Sequence, residues 1–392
     1  SRDTVFDFKS RRSRVIDKLR EQGDAVAVIM NPDYVYYLTG YHGALGIEWG
    51  RPNIFIQTVE GESVLIVPVM EEEMAHKQTD VTKIIPWTDG IDDEWRPSLQ
   101  EYVDKYKGEK AAVDYMWMPR VVWDFIGEVI SKDRISDIGP EIDKLRSIKD
   151  PEEIQVARHA GEVAVEMLKG AMKVAAPGVY EYEVELASKE AGTRHAAKLM
   201  EEHYKHVQPF NYPGLGNKQI MSSGDEITMC HHRSSMTKLV HGEPLFICHC
   251  GTAEFKNFFV GFDRILFVGD INDEVSTMLS IAEEAQKAAL SKIKPGAYAK
   301  DVFKAYAEVI EDNGYPIPFR AGRSLGFSYN AFPQLEKGSE AVIEEGMTFA
   351  VDGGTDSDNY RTQVGDSILV TKDGFEYLTP FTKDHNKLIV GK

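Results

Sequence analysis

Hydrophobic and polar positions in the first part of the chain alternate between helical and strand-like patterns. Residues 10–23 have helical periodicity, and residues 25–30 form a short apolar run that ends at an Asn-Pro-Asp turn. Two further apolar runs, NIFIQTV and SVLIVPV, are separated by Glu-Gly-Glu, which predicts a hairpin. The segments VTKIIPW and AAVDY predict two more strands, with a helix around residues 96–107 between them. We therefore predict a mixed α/β domain over residues 1–140.

A second domain is predicted over residues 147–392, after a Gly-Pro break in the chain. Its first helix has Asp150 in the N-cap position, a proline at the first helical position and acidic residues in the first turn. Helical periodicity then continues to about residue 175, where a Pro-Gly pair ends it.

The second domain contains an internal repeat. A long helix, a Pro-Gly-x-Tyr turn and another helix occur around residues 177–180 and again around residues 295–298. Strand-like segments follow each copy: ITMCHH, PLFICHCG and RILFVG after the first, MTFAVDGG and DSILVT after the second. Two such units related by a pseudo-twofold axis predict a curved antiparallel sheet backed by paired helices. The predicted fold class is therefore α+β.

Composition adds limits on function and setting. The chain has 392 residues, of which 42% are hydrophobic and 28% charged, a balance typical of a globular protein with two domains. Its net charge of −18 disfavours nucleic-acid binding. No apolar run approaches the length of a membrane span, and the charged start lacks the apolar region of a signal peptide. Three cysteines favour a reducing compartment, so we expect a cytoplasmic protein.

Six segments carry a family resemblance. These segments are LRSIKDPEEI, HGEPLFI (241–247), the Phe-Asp-Arg of 262–264, GRSLGFSY (322–329), EEGMTFAVDGG (344–354) and YRTQVGDSILVTKDG (360–374). Together they resemble the family of creatinase, aminopeptidase P, prolidase and methionine aminopeptidase over essentially the whole chain. The resemblance implies a smaller N-terminal creatinase-like α/β domain and a C-terminal catalytic domain of the pita-bread fold.

The resemblance also implies metal-ligand positions, and this sequence changes most of them. Peptidases of the family hold two metal ions with two Asp, one His and two Glu. By resemblance, the Asp positions fall at Cys248 and Gly261, the His position at Arg323, and the Glu positions at Asp352 and Gly365. The arginine places a positive charge where a dication would sit. We therefore expect no metal, no cofactor and no dinuclear peptidase chemistry.

Creatinase, the branch of the family without metal, is the better template for the remaining residues. By resemblance, His231 stands at the catalytic histidine, and Asp263 and Asp352 replace two glutamates that contact a guanidinium group. Arg51 lies in a Gly-Arg-Pro segment with which creatinase presents an arginine to the substrate carboxylate across the dimer. The resemblance thus implies a homodimer in which the N-terminal domain completes the partner's active site.

These residues lead to a specific hypothesis about the reaction. His231 is expected to act as general base and then general acid, with Asp263 and Asp352 as catalytic carboxylates that hold a cationic group. Arginines are expected to bind a carboxylate at the other end of the substrate. The predicted substrate-binding residues are Arg51, Arg323, Cys248 and Asp366. The predicted reaction is metal-independent hydrolysis of a C–N bond other than a peptide bond, in a small zwitterion such as a guanidino, amidino or cyclic amidine acid.

Several alternatives stay open. The same fold would suit an ectoine-type ring hydrolase, a sulfonium-propionate lyase, or a non-catalytic peptidase-like module that binds basic partners. A covalent route through an Asp or Cys nucleophile is a further option. His231 and His232 would face opposite ways in a strand, so only one of them would reach a pocket. The Cys-His-Cys segment at 248–250 also offers zinc ligands, with Cys248 and Cys250 on one face.

Overall fold

The computed structural model describes residues 4–209 and 211–392, except for the side chain of Glu48. It contains two compact units. The N-terminal unit runs to Arg146 and includes Tyr204–Asn211, and the C-terminal unit comprises Ser147–His203 and Tyr212–Lys392. Within the described residues, every helix is too short or too polar to cross a membrane.

The N-terminal unit has a mixed six-stranded sheet and six helices among its described residues. Its elements are α1 (Phe8–Gln22), β1 (Asp24–Ile29), α2 (Pro32–Thr39), β2 (Ile54–Thr58), β3 (Ser63–Pro68), α3 (Glu72–Gln78), β4 (Lys83–Trp87), α4 (Arg96–Lys105), β5 (Lys110–Val113), α5 (Arg120–Gly127), β6 (Ile135–Asp137) and α6 (Gly139–Ser147). The strand order is β4-β3-β2-β1-β5-β6, and β2 and β3 form the predicted antiparallel hairpin. Strands β1, β2 and β3 are buried on both faces, which explains their nearly continuous apolar sequences.

The C-terminal unit has a larger antiparallel sheet and two pairs of long helices. Its elements are α7 (Pro151–Val174), α8 (Glu181–His203), β7 (Ile220–Ser223), β8 (Pro244–Cys248), β9 (Glu254–Phe255), β10 (Phe258–Phe259), β11 (Asp263–Val268), α9 (Asp273–Leu290), α10 (Ala299–Asp312), β12 (Arg320–Ser324), β13 (Ala331–Glu336), β14 (Thr348–Asp356), β15 (Arg361–Val370), β16 (Phe375–Tyr377) and β17 (Ile389–Val390). The main strand order is β13-β12-β14-β15-β11-β8-β7. Helix α7 begins with the predicted cap, since Asp150 and Glu153 form a reciprocal capping box.

The internal repeat has the same hydrogen-bonding geometry in both copies. Gly178 and Gly296, which follow the two prolines, have φ of 84° and 92°, a conformation that glycine adopts readily. The Gly178 N–H donates to the Leu239 carbonyl at 2.8 Å, and the Gly296 N–H donates to the Ile343 carbonyl at the same distance. Each turn is therefore hydrogen-bonded to the segment that leads into a strand of the sheet, β8 in the first copy and β14 in the second. The predicted α+β fold with a pseudo-twofold repeat is confirmed.

One predicted strand is wrong. The segment ITMCHH lies in turns that follow a short 3₁₀-helix, Gly224–Glu226, and the strand of this region is β7, which ends at residue 223. Gly224 has φ of 53°, so the chain leaves the extended conformation there. Because the two histidines at 231 and 232 lie in a turn, alternation along a strand does not decide which way they face.

Helix α9 packs against β14 and β15 and defines one face of the sheet. Gln286 of this helix donates from Nε2 to the Val351 carbonyl at 3.0 Å and to Asp366 Oδ2 at 2.9 Å. Side chains alternate along a strand, so Asp366 points toward the helices while the neighbouring position, Gly365, faces the other way. The polar residues described next lie on that other face.

Candidate functional site

Four strands bring polar side chains together on the face of the sheet away from α9. Cys248 at the end of β8 is the cross-strand partner of Asp263 at the start of β11. Asp263 and Asp352 are both partners of Gly365 on β15. Cross-strand partners project to the same face, so these side chains converge above the glycine. We call the following five residues the polar cluster: Cys248, Cys250, Asp263, Arg323 and Asp352.

The two carboxyl groups of the polar cluster lie close to each other in a buried setting. Asp263 has no exposed surface, and its Oδ2 accepts a hydrogen bond from Gln363 Nε2 at 2.5 Å. Burial, together with the nearby Cys250, raises the pKa of Asp263 to about 7. Burial, together with the negative charge of Asp263, raises the pKa of Asp352 to about 7. Neither carboxyl group is therefore held in its ionised form by the protein alone.

The two thiols of the cluster differ in their ionisation. The Cys250 N–H donates to Cys248 Sγ at 3.4 Å, and the Cys250 thiol lies 3.4 Å from Asp263 Oδ1. The hydrogen bond from Cys248 lowers the pKa of Cys250 to about 6; burial opposes this shift, and the charge of Arg323 supports it. Burial raises the pKa of Cys248. Cys250 is thus the thiol that ionises first.

Arg323 supplies the positive charge of the cluster. Its side chain is 6% exposed, its Nε donates to the Tyr329 carbonyl at 2.7 Å, and its Nη1 lies 3.8 Å from Asp352 Oδ2. Burial opposes the charge, but Cys250 and Asp352 raise the pKa of Arg323 overall. Arg320 of the same strand is half-buried, and burial and the charge of Arg323 lower its pKa. The structure therefore brings the predicted residues Cys248, Arg323 and both aspartates together.

His231 lies elsewhere among the predicted residues. It is exposed in a turn, and its backbone carbonyl accepts a hydrogen bond from Arg233. The neighbouring His232 is held inward instead, with Nδ1 2.6 Å from the Met221 carbonyl and Nε2 in contact with the Glu226 carboxyl group. The catalytic role of His231 stays a prediction.

Arg51 and Asp366 are both engaged in ion pairs. Arg51 belongs to the N-terminal unit, where its Nε and Nη2 donate to Asp89 Oδ2 at 2.9 and 2.6 Å. Asp366 is fully buried on the helix side of the sheet and pairs with Arg264 at 2.9 Å and Lys383 at 3.2 Å. Asp366 is therefore outside the polar cluster, and its substrate-binding role stays a prediction that its contacts do not support.

The residues present do not fit the two-metal carboxylate centre that the resemblance implies. Gly261 and Gly365 offer no donor side chain at two of the five positions. A Cβ at Gly261 would lie 3.1 Å from Arg323 Nη2, so the guanidinium group fills this space. A different donor set is close by, because ligand atoms of Cys248, Cys250 and Asp263 all lie within 4.8 Å of one another.

Sequence reasoning gave too little weight to Cys250 and missed Gln363 and Arg320 as neighbours of the site. The two-residue spacing between the cysteines was the available signal, because positions i and i+2 share a face. No comparable signal marks Gln363, whose contact with Asp263 depends on how β15 aligns with β11.

Comparisons with known proteins agree with this fold. Residues 155–372 match the model of metallopeptidase family M24, and residues 11–148 match the creatinase/prolidase N-terminal domain. An agropine synthesis cyclase of Rhizobium rhizogenes is 25% identical to this chain, in an alignment that covers 97% of each of the two chains. A Xaa-Pro dipeptidase of Pyrococcus horikoshii is 26% identical over 91% of this chain and 92% of its own. The crystal structure of a Thermococcus sibiricus prolidase has a TM-score of 0.83, with 23% identity over 98% of this chain and 99% of its own.

These comparisons correct two parts of the predicted reaction, its independence of metal and its non-peptide bond. The predicted metal-independent hydrolysis of a non-peptide C–N bond is wrong, because the matching model is that of a metallopeptidase family and the relatives of this chain include peptidases. Loss of the family's ligands does not by itself remove metal binding when thiols and a carboxylate lie nearby. The assignment as a hydrolase is supported. Taken together, the matches over both units show that the chain belongs to metallopeptidase family M24 and carries a creatinase/prolidase N-terminal domain.

Proposed function

We propose that this protein hydrolyses an amide bond of the peptide type in a small anionic substrate, at the polar cluster. The observation that carries the proposal is the pair formed by Arg323 and Asp352, whose charged atoms lie 3.8 Å apart. The Arg323 side chain is nearly buried, whereas the Asp352 side chain keeps 22% of its surface exposed and so is open to a substrate. The Xaa-Pro dipeptidase and other peptidases among the relatives support an amide as the scissile bond.

The two residues suit complementary roles in amide hydrolysis. Asp352 would take a proton from the attacking water and return it to the leaving nitrogen. Arg323 would donate hydrogen bonds to the oxygen that becomes negative in the tetrahedral intermediate, which is a strong effect in a site that excludes water. The hydrogen bond from Arg323 to the Tyr329 carbonyl holds the guanidinium group in place before substrate arrives.

Arg320 supports an anionic substrate. Its guanidinium group donates to Gln334 Oε1 at 3.1 Å, and burial, together with the positive charge of Arg323, lowers its pKa. The like charges of Arg320 and Arg323 repel each other, and a bound carboxylate would relieve that repulsion. We therefore expect substrates with a free carboxylate to be preferred over their amides.

The test is a panel of dipeptides, including Xaa-Pro dipeptides and their C-terminal amides, with products detected by mass spectrometry. Purified protein is assayed with and without added divalent ions. We expect cleavage of at least one free dipeptide, and losses of about 10²–10³-fold in kcat for Arg323→Met and 10²–10⁴-fold for Asp352→Asn. The control is Glu340→Gln, which alters a surface ion pair with Lys300.

Two results would overturn this assignment. If the kcat of Asp352→Asn stays within a few-fold of the wild-type value, Asp352 is not the acid–base group. If kcat falls 10²–10⁴-fold in His231→Ala while Asp352→Asn remains active, His231 is the acid–base group instead.

A second candidate is ring closure within a small molecule. It is favoured by the agropine synthesis cyclase, which aligns with 97% of this chain at 25% identity. The polar cluster is largely buried, and a site that excludes water favours condensation over hydrolysis. The same mass-spectrometric assay separates the two reactions, because hydrolysis adds the mass of one water and ring closure removes it.

The setting of the enzyme is also part of the proposal. We propose a cytoplasmic homodimer in which Arg51 reaches the partner's active site, as in creatinase. Three free cysteines fit a reducing compartment. Mixing Arg51→Ala and Asp352→Asn chains is expected to restore activity if the site is shared between copies, and to restore none if each chain works alone.

A further inference from the structure

The geometry points to a single metal-ion site formed by Cys248, Cys250 and Asp263, which we propose takes one divalent ion of the kind that accepts thiolate ligands, such as Zn²⁺. The ion would be held by two sulfurs and one carboxylate oxygen. This donor set differs from the two-metal carboxylate centre, which the residues present do not fit. The inference does not rest on the proposed hydrolysis, because its test measures binding.

The backbone places the three ligand atoms at the spacing that such an ion needs. Cys248 and Asp263 are direct cross-strand partners, and Cys250, in the turn after β8, donates from its backbone N–H to Cys248 Sγ at 3.4 Å. All three ligand atoms lie within 4.8 Å of one another, and Cys250 Sγ is 3.4 Å from Asp263 Oδ1. Tetrahedral coordination with Zn–S bonds of about 2.3 Å and Zn–O bonds of about 2.0–2.2 Å requires ligand atoms roughly 3.5–3.8 Å apart. Only small side-chain rotations would therefore be needed.

Charge balance favours a cation at this point. The polar cluster contains two carboxyl groups and two thiols, among them Asp263 with no exposed surface, and Arg323 is its one basic member. Removing the protons of these four groups in a buried site is costly unless a positive charge accompanies them. One dication bound to three of these groups would bring the cluster, with Arg323, close to neutrality.

A supporting shell already orients the carboxylate. Gln363 Nε2 donates to Asp263 Oδ2, and Gln363 Oε1 accepts a hydrogen bond from Arg361. This chain leaves Oδ1 of Asp263 directed toward the thiols. Metal-binding carboxylates are commonly held by such second partners, whose loss weakens metal affinity about 10–100-fold.

The type of ion and its coordination follow from the donors and their exposure. Two thiolates with a carboxylate suit Zn²⁺ or Co²⁺ and disfavour Mg²⁺ or Ca²⁺, which prefer oxygen ligands. Cys248 is 4% exposed and Asp263 is fully buried, but Cys250 is only partly buried. The fourth coordination position would lie on this accessible side, as in catalytic rather than structural zinc sites.

The direct test is titration of chelator-treated full-length protein with Co²⁺ and Zn²⁺ under reducing conditions. We expect one Co²⁺ per chain, with a thiolate-to-cobalt charge-transfer band and the visible spectrum of a tetrahedral ion, and displacement by Zn²⁺. Mg²⁺ should produce no displacement. A stoichiometry of two oxygen-bound ions, without the thiolate band, would overturn the proposal.

Variants separate the site from adventitious thiol binding. Cys250→Ser should abolish the charge-transfer band or shift it strongly, while Cys230→Ser, at an exposed cysteine outside the cluster, should leave it unchanged. Gln363→Ala keeps all three ligands and should weaken Co²⁺ binding about 10–100-fold. Equal affinity in Gln363→Ala and wild type would overturn the role of Gln363 in positioning Asp263 for the metal.

A thiol assay covers the remaining possibilities. The metal-free reduced protein should show three reactive thiols on unfolding, and the Zn²⁺-bound protein should release one Zn²⁺ when Cys248 and Cys250 are modified by a mercurial reagent. A disulfide between these cysteines that persists under reducing conditions would overturn the metal site. If Cys250→Ser does not fold, as judged by circular dichroism, loss of zinc on thiol modification of the wild type still decides the question.

Discussion

The carboxylate of Asp263 occupies the space into which any side chain at Gly365 would extend. A Cβ at this position would overlap Asp263 Oδ2 and also Asp352 Oδ1. The glycine therefore lets the two carboxyl groups approach each other over β15. The absence of a side chain at residue 365 is thus what allows the polar cluster to form.

Gly365→Ala is expected to disable the polar cluster with only moderate loss of stability. The added methyl group must push both carboxylates aside, and misplacement of a catalytic group by about 1 Å can cost 10²-fold in rate. Overpacking of this kind costs roughly 1–3 kcal/mol. The matched control is Gly374→Ala, where a Cβ would meet open space and φ is not positive. Measurement of kcat/KM and Tm for both variants checks the prediction; equal activity in the two contradicts it.

The repeat and the cluster differ in how far local sequence determines them. The turns at Gly178 and Gly296 were predictable because each depends on a Pro-Gly pair and on flanking helices close in sequence. The cluster depends on the pairing of β11 with β15. A shift of one residue would exchange Gly365 and Asp366 between the two faces of the sheet, and the sequence alone does not exclude that shift.

The two histidines show the same limit at a turn. Their assignment to a strand required that the extended conformation continue beyond residue 223, but Gly224 ends it. Arg323 could be aligned with a family position, yet the direction of its guanidinium group follows from the Tyr329 carbonyl, which lies on a connecting loop. Side-chain direction thus needed the tertiary structure.

Asp366→Asn is expected to destabilise the C-terminal unit strongly. The carboxylate is fully buried and pairs with Arg264 at 2.9 Å, while Lys383 and Gln286 also contact it. Removal of one partner of a buried ion pair leaves the other charge uncompensated and costs roughly 3–5 kcal/mol. Urea denaturation measures the change. Glu340→Gln, in a surface pair with Lys300, is the control and should leave the midpoint nearly unchanged.

The same carboxylate predicts acid sensitivity. Burial opposes ionisation of Asp366, but Arg264 and Lys383 lower its pKa below the ordinary value of 3.8. The pKa of Asp366 is lower in the folded state than in the unfolded state. The ionised carboxylate therefore stabilises the fold fully above pH 3.8, and this stabilisation is lost as the pH falls through the folded-state pKa. The difference in free energy of unfolding between wild type and Asp366→Asn should therefore shrink as the pH falls below 3.8. A difference that stays constant from pH 7 to strong acid would contradict this account.

Gly353→Ala tests how closely helix α9 approaches the strand that carries Asp352. A Cβ at Gly353 would overlap the carbonyl oxygen of Ala282, an atom of the helix backbone that cannot rotate away. The helix must shift outward, which we expect to cost at least about 1–3 kcal/mol. Because Gly353 adjoins Asp352, the shift should also reduce turnover more than the loss of folded protein explains. Gly216→Ala, which meets no atom within 4 Å, is the control. Unchanged Tm in Gly353→Ala would show that α9 can separate from β14 at little cost.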